Sequence, residues 1–280
     1  MSASINKQKT GKLALIYTLL ILGALCFMIP FIWMLSSSLK ELPQIFVFPP
    51  QWIPKPVRWD NYARALLKMN FPLALKNTLI ITVFTVTGQL LSSACVAYGF
   101  ARLRFPGREL LFMLVISTMM LPSQVTMIPV FIIFKTLGWV DTLKPLIVPS
   151  FLGANTFAIF LLRQFFLTIP KELEDAARID GCGSLRIFFQ IMMPLAKPAL
   201  VTVGIFAFMG SWNDFFGPLI YLNSESLRTL AIALQTFQGQ FTAEWNLLMA
   251  ASVVVLLPVL MIFFILQRYF VQGIVLTGLK

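Results

Sequence analysis

The sequence predicts an all-α, polytopic membrane protein with six transmembrane helices. The bulk composition and the lengths of the apolar segments support this fold class. The chain has 280 residues, of which 58% are hydrophobic and 12% are charged, and its mean hydropathy is +0.84. A soluble globular domain carries about 25% charged residues. So low a charged fraction indicates that much of the surface faces lipid.

Six segments are long and apolar enough to cross a hydrocarbon core of about 30 Å, which requires roughly 20 helical residues. They are Leu13–Leu35, Thr78–Phe100, Leu110–Ile133, Leu146–Phe166, Ala199–Leu222 and Leu247–Leu266. The first follows a basic stretch, but it is longer than the roughly 7–15 apolar residues of a signal peptide, so we expect it to remain as a span. The third contains Pro122 and Pro129, which predict kinks because proline removes a backbone donor.

An even number of spans places both chain termini on the same side of the membrane. Lys and Arg are enriched in cytoplasmic loops, and the short loop after the second span carries Arg102, Arg104 and Arg108. We therefore predict that both termini are cytoplasmic. The chain then divides into an N-terminal tail, first span and outer loop (1–71), a five-span core (72–268) and a cytoplasmic tail (269–280). Residues 167–198 of the core form a cytoplasmic loop.

Several function classes are disfavoured by the residues that the chain lacks. It has no histidine, and its three cysteines show no CxxC spacing, so no metal site, catalytic triad or disulfide framework is predicted. No GxxxxGK[ST] phosphate-binding loop occurs. The net charge of +11 does not cluster on one basic face, which argues against nucleic-acid binding. We expect no catalytic activity, no ATP hydrolysis and no cofactor.

One long polar segment, ELEDAARIDGCGSLRIFFQIMMPLAKP (172–198), interrupts the apolar sequence. Acidic residues crowd its start, where the helix dipole favours negative charge, and Gly181 is placed to end this first helix in a left-handed conformation. Leu173, Ala176, Ala177 and Asp180 are predicted to share a face that another surface could approach closely. A second helix is predicted to start at a Ser184 cap, with Leu185, Phe188, Phe189, Met192 and Met193 on one apolar stripe.

The simplest interpretation of this polar segment is an amphipathic loop at the lipid surface. That interpretation suits the Phe and Met stripe of the second helix. It does not suit the first helix, because anionic lipid would repel its carboxylates. A protein partner is the better match for the first helix.

The same segment resembles the cytoplasmic loop of permease subunits in binding-protein-dependent ABC importers. The signature of that loop is Glu-Ala-Ala, three residues, Gly, nine residues, Ile, any residue, Leu and Pro. Asp175, Ala176, Ala177, Gly181, Ile191 and Pro194 fall in register with it. Asp175 stands where Glu is usual and Met193 where Leu is usual, and the shorter carboxylate could weaken the contact that Glu makes.

The resemblance extends over most of the chain, to the carbohydrate branch and to the smaller permease subunit of maltose-type systems. It is carried by LPSQVTMIPVF, LGWVDT, GSWNDFFGPLIYL and QRYFVQGIVLTGLK. It implies the type I ABC importer permease fold, and the implied partners are a second permease subunit, two cytoplasmic ATPase subunits and an extracytoplasmic solute-binding protein. It also implies that Glu174, Asp175, Ala176, Ala177, Asp180, Gly181, Ile191 and Pro194 couple the spans to the ATPase. The chain would form half of a pathway for a sugar or oligosaccharide.

Polar side chains inside spans are candidates for the lining of that pathway, because they are costly in lipid and usually face a cavity. The candidates are Trp212, Asn213, Asp214, Gln89, Gln124 and Asn155. Amide and aromatic groups together suit a neutral, hydroxyl-rich ligand. The alternatives are an interfacial anchor for the Trp and helix–helix contacts for the amides.

The outer segment Asn223–Asn246 is too polar to span and resembles the loop that reaches the docked binding protein in maltose-type importers. Phe237, Gly239 and Phe241 are the predicted contacts, and a lid over the pathway is the alternative. For the whole chain, rival interpretations are an importer of glycerol phosphodiesters or another polar solute, and an ion-coupled secondary transporter or channel. The latter should carry paired intramembrane charges or inverted repeats, and neither is seen.

Overall fold

The computed structural model describes residues 2–239 and 242–277, with side chains for 12–13, 15–122, 124–239 and 242–267. The α-helices are α1 Ser2–Ser38, α2 Leu42–Ile45, α3 Asp60–Lys68, α4 Phe71–Arg102, α5 Arg108–Ser117, α6 Ser123–Thr136, α7 Lys144–Ile147, α8 Thr156–Thr168, α9 Glu172–Ile179, α10 Ser184–Ile187, α11 Met193–Leu195, α12 Lys197–Trp212, α13 Phe216–Tyr221, α14 Leu230–Ala233 and α15 Trp245–Thr277. Phe188–Met192 is a π-helix, and Thr118–Met120, Val148–Leu152, Glu225–Leu227 and Leu234–Phe237 are 3₁₀ turns. In these described ranges the only β pairing is an isolated bridge between Gln238 and Ala243.

Among the described residues, four helical segments are long and apolar enough to cross a membrane, and two bent helix pairs bring the number to six if each pair is one span. The four are Leu15–Ser38, Phe71–Arg102, Lys144–Thr168 and Trp245–Gln267, and the pairs are Arg108–Met120 with Gln124–Thr136 and Ser184–Leu195 with Lys197–Trp212. The predicted all-α membrane fold is confirmed. Helix α15 continues past the predicted domain boundary at 268 to Thr277.

Three of the predicted spans are interrupted, and the sequence analysis predicted a kink only in the third. The third is bent by more than 40° between Met120 and Gln124, where Pro122 cannot continue the hydrogen-bond ladder. The fourth is interrupted at Gly153, whose φ of +73° is left-handed. The fifth is interrupted after Trp212, where the 16 residues of α12 end. Asn213 and Asp214 lie in the non-helical segment between α12 and α13.

The structure divides into two compact units, of which the first contains the residues up to Met69 together with Leu234–Leu257. Its interior is organised by Asn61, which is 1% exposed. The Asn61 amide donates hydrogen bonds to the backbone carbonyls of Ser38 at 2.9 Å and Lys40 at 2.8 Å. These bonds satisfy one carbonyl at the end of α1 and one just past it, which a buried helix end requires.

The second unit contains Asn70–Ala233 and the residues from Pro258 onward, and α4 packs against α8 and α12 in it. Buried alanines on α4, namely Ala94, Ala97 and Ala101, allow its neighbours to approach closely. Gly88 extends this close contact. A Cβ at this position would lie 2.5 Å from Ser150 Oγ and 2.6 Å from the Phe151 ring. Small side chains on α4 therefore determine how tightly the unit packs.

Within the second unit, hydrogen bonds of Asp141 connect the loop after α6 to the loop after α13. Its φ is +60°, and its carboxylate accepts hydrogen bonds from the backbone N–H groups of Asn223 at 2.9 Å and Ser224 at 2.8 Å. The Ser224 hydroxyl donates a further bond to it. These hydrogen bonds, that of the Ser224 hydroxyl first, lower the pKa of Asp141.

Candidate functional site

The first candidate site is α9, the short helix that the polar segment forms. Its first turn contains Glu172, Glu174 and Asp175. Gly181 follows its end with a φ of +79°, and the Gly181 N–H donates to the Arg178 carbonyl at 3.0 Å. The predicted left-handed stop at Gly181 is confirmed.

The two sides of α9 have different roles. Glu174 is 5% exposed and Ala177 is 6% exposed, and both face the interior of the second unit. Asp175, Ala176 and Asp180 face solvent, so a partner surface would meet these residues. The predicted contact face therefore keeps Leu173, Ala176 and Asp180 but loses Ala177.

Glu174 is held inside by Arg102, the last residue of α4. Arg102 Nε lies 3.0 Å from Glu174 Oε1, with side-chain exposures of 2% and 6%. These two atoms form an ion pair without the alignment of a hydrogen bond. The same guanidinium donates to the backbone carbonyls of Phe166 and Ile169 at the end of α8. Arg102 thus connects α9 to two spans.

Ile179 is a residue of α9 that the sequence analysis missed. It is 86% exposed and lies one turn after Ala176, on the side that faces solvent. Its side chain is therefore available to a partner that contacts the exposed side of α9. The i, i+3 spacing from Ala176 was the signal that could have identified it.

The second half of the polar segment differs from the prediction. Ser184 is the first helical residue, and Gly183 occupies the cap position. Phe188 and Met192 of the predicted apolar stripe are buried, but Leu185 is 76% and Phe189 is 55% exposed. The predicted stripe is therefore wrong at Leu185 and Phe189, and it missed the buried Ile187. The π-helix Phe188–Met192 causes the change because a wider turn rotates the faces. Of the predicted coupling residues here, Ile191 packs partly against the core and Pro194 is exposed.

The second candidate site is a cavity of about 760 Å³ within the second unit. Its walls come from α4, the break between α5 and α6, and the start of α8. The lining residues are Thr85, Gln89, Thr118, Met119, Leu121, Thr126, Leu146, Ser150, Ala154, Asn155, Thr156 and Phe157. The structure thus brings together two predicted pathway residues, Gln89 and Asn155.

The cavity is lined by hydroxyl, amide and apolar groups and has no charged side chain among its lining residues. The hydroxyls of Thr118 and Thr156 lie 3.0 Å apart. Asn155 Oδ1 accepts a hydrogen bond from the Ala158 N–H at 2.9 Å and caps α8. This bond fixes the amide so that its NH₂ group can serve as a donor toward the cavity.

The other predicted pathway residues lie outside this cavity lining. Trp212 is 2% exposed and stacks on Phe208, with ring centroids 5.4 Å apart. The Asn213 amide donates to the Met209 carbonyl at 2.9 Å, and Asp214 Oδ1 accepts from the Gly217 N–H at 3.0 Å. These contacts end α12 and begin α13. Gln124 lies on α6 and is also absent from the lining.

Two of the predicted binding-protein contacts lie in the first unit, Phe237 at the end of the turn Leu234–Phe237 and Gly239 after it. Phe237 is 1% exposed, so a contact through its ring requires the ring to leave the interior. Gly239 is exposed, and its N–H donates to the Thr242 carbonyl at 3.0 Å. Phe241 lies outside the described residues.

An all-helical membrane domain with a short polar helix of small residues and an open, uncharged cavity is typical of a solute permease. The sequence profile of the family described as binding-protein-dependent transport system inner membrane component matches residues 91–276. The chain belongs to this family. It is a non-catalytic permease subunit of an ABC importer, in which a separate subunit hydrolyses ATP.

Three similar proteins differ in the solute for which each is named. The chain is 38% identical over 204 residues to the arabinooligosaccharides transport system permease protein AraQ of Halalkalibacterium halodurans, covering 73% of this chain and 72% of that protein. It is 33% identical over 268 residues to the sn-glycerol-3-phosphate transport system permease protein UgpE of Yersinia enterocolitica, covering 92% and 94%. A chain of a bacterial ABC transporter involved in the import of alginate, an acidic polysaccharide, matches with a TM-score of 0.80 and 27% identity, covering 91% and 94%.

Proposed function

We propose that this subunit forms half of the membrane pathway for a neutral sugar or oligosaccharide. The observation that carries the proposal is the uncharged cavity of about 760 Å³. Its hydroxyl and amide groups can exchange hydrogen bonds with sugar hydroxyls, and Phe157 and Met119 can cover the apolar faces of a sugar ring. The relative named for arabinooligosaccharides supports the same substrate class.

The proposal includes the partners expected for such an importer and the orientation of the chain. A second, related permease subunit supplies the other half of the pathway, and two cytoplasmic ATPase subunits dock on the exposed side of α9 through Asp175, Ala176, Ile179 and Asp180. An extracytoplasmic solute-binding protein delivers the sugar near Gly239. Both termini and α9 then face the cytoplasm.

The competing substrate is a phosphate ester or an acidic saccharide, as the names of the other two similar proteins suggest. An anionic ligand needs cationic groups to replace its hydration, and the cavity lining has none. For this chain to carry such a ligand, the second permease would have to provide the cations.

The test is uptake by cells or proteoliposomes that contain the complete importer. The probes are radiolabelled arabinotriose, maltotriose and raffinose, with sn-glycerol-3-phosphate and an alginate trisaccharide as anionic probes. At least one neutral probe should be taken up, and Gln89→Leu should reduce its uptake about tenfold, because one lost hydrogen bond is worth about 1–1.5 kcal/mol. Thr87→Val, on the same helix but outside the cavity lining, is the matched control. Transport of the anionic probes alone, or equal uptake by the two variants, would refute the proposal.

A further inference from the structure

The second unit has a cleft at the end where α4 stops and α5 begins. Two adjoining cavities of about 720 Å³ and 540 Å³ form it, and both are lined by Arg104, Phe105, Arg108 and Lys171. We call this region the basic cleft. Glu174, Asp175 and Arg178 of α9 also line the larger cavity, so the cleft lies between the loop after α4 and one side of α9.

Pairing removes only part of the positive charge of the basic cleft. Arg102 is balanced by Glu174. Arg108 donates hydrogen bonds to Glu109 Oε1 from Nε at 2.9 Å and from a terminal nitrogen at 2.7 Å. Among the described residues, Arg104, Lys171 and Arg178 form no ion pair, and Asp175 is the remaining carboxylate in the lining of the larger cavity. An excess of positive charge therefore surrounds an open volume.

The position of the basic cleft along the helices indicates what kind of anion it accepts. Arg102 is the last residue of the α4 span and Arg108 is the first residue of α5, so the cations lie where a span meets the lipid headgroups. The smaller cavity is also lined by Leu110, which is 60% exposed. Exposed apolar side chains continue along α5 at Leu111, Met113 and Leu114. A polar, cationic pocket thus leads directly onto an apolar helix surface.

We propose that the basic cleft binds the phosphate headgroup of an anionic phospholipid, whose acyl chains lie along α5. An acidic protein segment would match the cations but not the apolar surface that adjoins them. A phospholipid matches both, because its anionic group and its hydrocarbon chains are joined at the level of the membrane interface. Since α9 forms one wall of the cleft, a bound lipid also contacts the helix that we assign to ATPase docking.

The test measures lipid binding to the full-length chain by native mass spectrometry. The chain, purified in mild detergent, is mixed with equal amounts of phosphatidylglycerol and phosphatidylcholine, and the retained lipid adducts are counted. The wild type should retain phosphatidylglycerol preferentially. Arg104→Gln with Lys171→Gln should weaken that preference about fivefold for each cation removed, since one cation near anionic lipid contributes about 1 kcal/mol.

Two variants serve as controls, and each should melt at the wild-type temperature. Arg104→Lys with Lys171→Arg keeps both charges and should keep the lipid preference. Lys12→Gln removes one exposed cation outside the cleft and should also keep it. The proposal is overturned if the wild type shows no preference, if Lys12→Gln causes the same loss, or if the charge-preserving variant behaves like the neutral one.

Two further outcomes would identify a different ligand and would equally overturn the proposal. Release of the bound phosphatidylglycerol by millimolar inorganic phosphate would indicate a site for a soluble phosphate ester. Release on addition of the ATPase subunit would indicate that an acidic surface of that protein occupies the cleft. Retention of the lipid in both experiments is the expected result.

Discussion

At the scale of single residues, Glu174 and Asp175 are neighbours in the sequence with opposite environments. Glu174 is buried against Arg102, whereas Asp175 is exposed. The sequence analysis assigned both to ATPase coupling, because helix periodicity alone does not fix which face of a helix with carboxylates on both sides turns inward. The distinction came from Arg102, which lies far before Glu174 in the sequence and meets it only in the folded chain.

Glu174→Gln should destabilise the protein strongly. The variant leaves the Arg102 guanidinium, which is 2% exposed, without a balancing charge, and breaking one side of a buried ion pair costs about 3–5 kcal/mol. Its melting temperature in detergent should fall by several degrees. Asp175→Asn is the matched control and should change stability by less than about 0.5 kcal/mol, as exposed substitutions do. Equal melting temperatures for the two variants would contradict the structural role of Glu174.

Asp141 makes the stability of the loops after α6 and α13 depend on pH. Its pKa is lowered in the folded state by the hydrogen bonds from Ser224 and Asn223. A lowered folded pKa contributes stability that is complete above the unfolded pKa of about 3.9 and is lost as the pH falls through the folded pKa. Melting temperatures measured from pH 6 down to pH 3 should therefore decrease.

Asp141→Asn tests this assignment. Asparagine tolerates the φ of +60° at this position and keeps one acceptor oxygen, but it does not titrate. The variant should be less stable than the wild type at pH 6, and the difference should shrink toward pH 3. A constant difference over that range would show that the carboxylate charge is unimportant.

At the scale of helices, the sequence was informative about where apolar segments lie and less so about their continuity. The predicted spans all overlap helices of the structure, because burial in lipid requires long apolar segments with satisfied backbones. The interruptions depend on local chemistry. Pro122 signalled one in advance, but the left-handed φ of Gly153 and the hydrogen bonds of Asn213 and Asp214 appear only in the folded chain.

Only some of the residues that line the candidate cavity could be predicted from the sequence. Gln89 and Asn155 were identified because polar side chains in spans are costly in lipid. Thr118 and Ser150 were not, because hydroxyls can also bond to the preceding turn of their own helix. Ser150 does so, donating to the Ile147 carbonyl at 2.6 Å. Only the approach of α4 to the interrupted spans shows which of these side chains line the cavity.

Gly88 should control the packing of α4 against the turn Val148–Leu152. Gly88→Ala places a Cβ 2.5 Å from Ser150 Oγ, and overpacking of this kind costs about 1–3 kcal/mol. A Cβ at Gly99, on the same helix, has no atom within 4 Å. Gly99→Ala should therefore be neutral or stabilising by up to about 1 kcal/mol, owing to the higher helix propensity of alanine. Thermal unfolding of both variants checks this, and equal effects would refute the close contact.

At the scale of the whole molecule, the exposed side of α9 is where this subunit would receive force from the ATPase. The surface there has small residues at Ala176 and Gly181, and space is open at Gly181, where a Cβ would have no atom within 4 Å. In the isolated chain a larger residue at this position would meet no obstacle. In the assembled importer it would project toward the docked partner.

Gly181→Val should therefore separate folding from coupling. Gly138 offers a matched position away from α9, because its φ is +66° and a Cβ there would also have no atom within 4 Å. Both valine variants incur similar backbone strain, of order 1–3 kcal/mol, so their melting temperatures should fall by similar amounts. Only Gly181→Val should lower sugar uptake per ATP hydrolysed when the complete importer is reconstituted in proteoliposomes. If Gly138→Val lowers that ratio as much, backbone strain accounts for the loss; if neither does, the ATPase does not act through this end of α9.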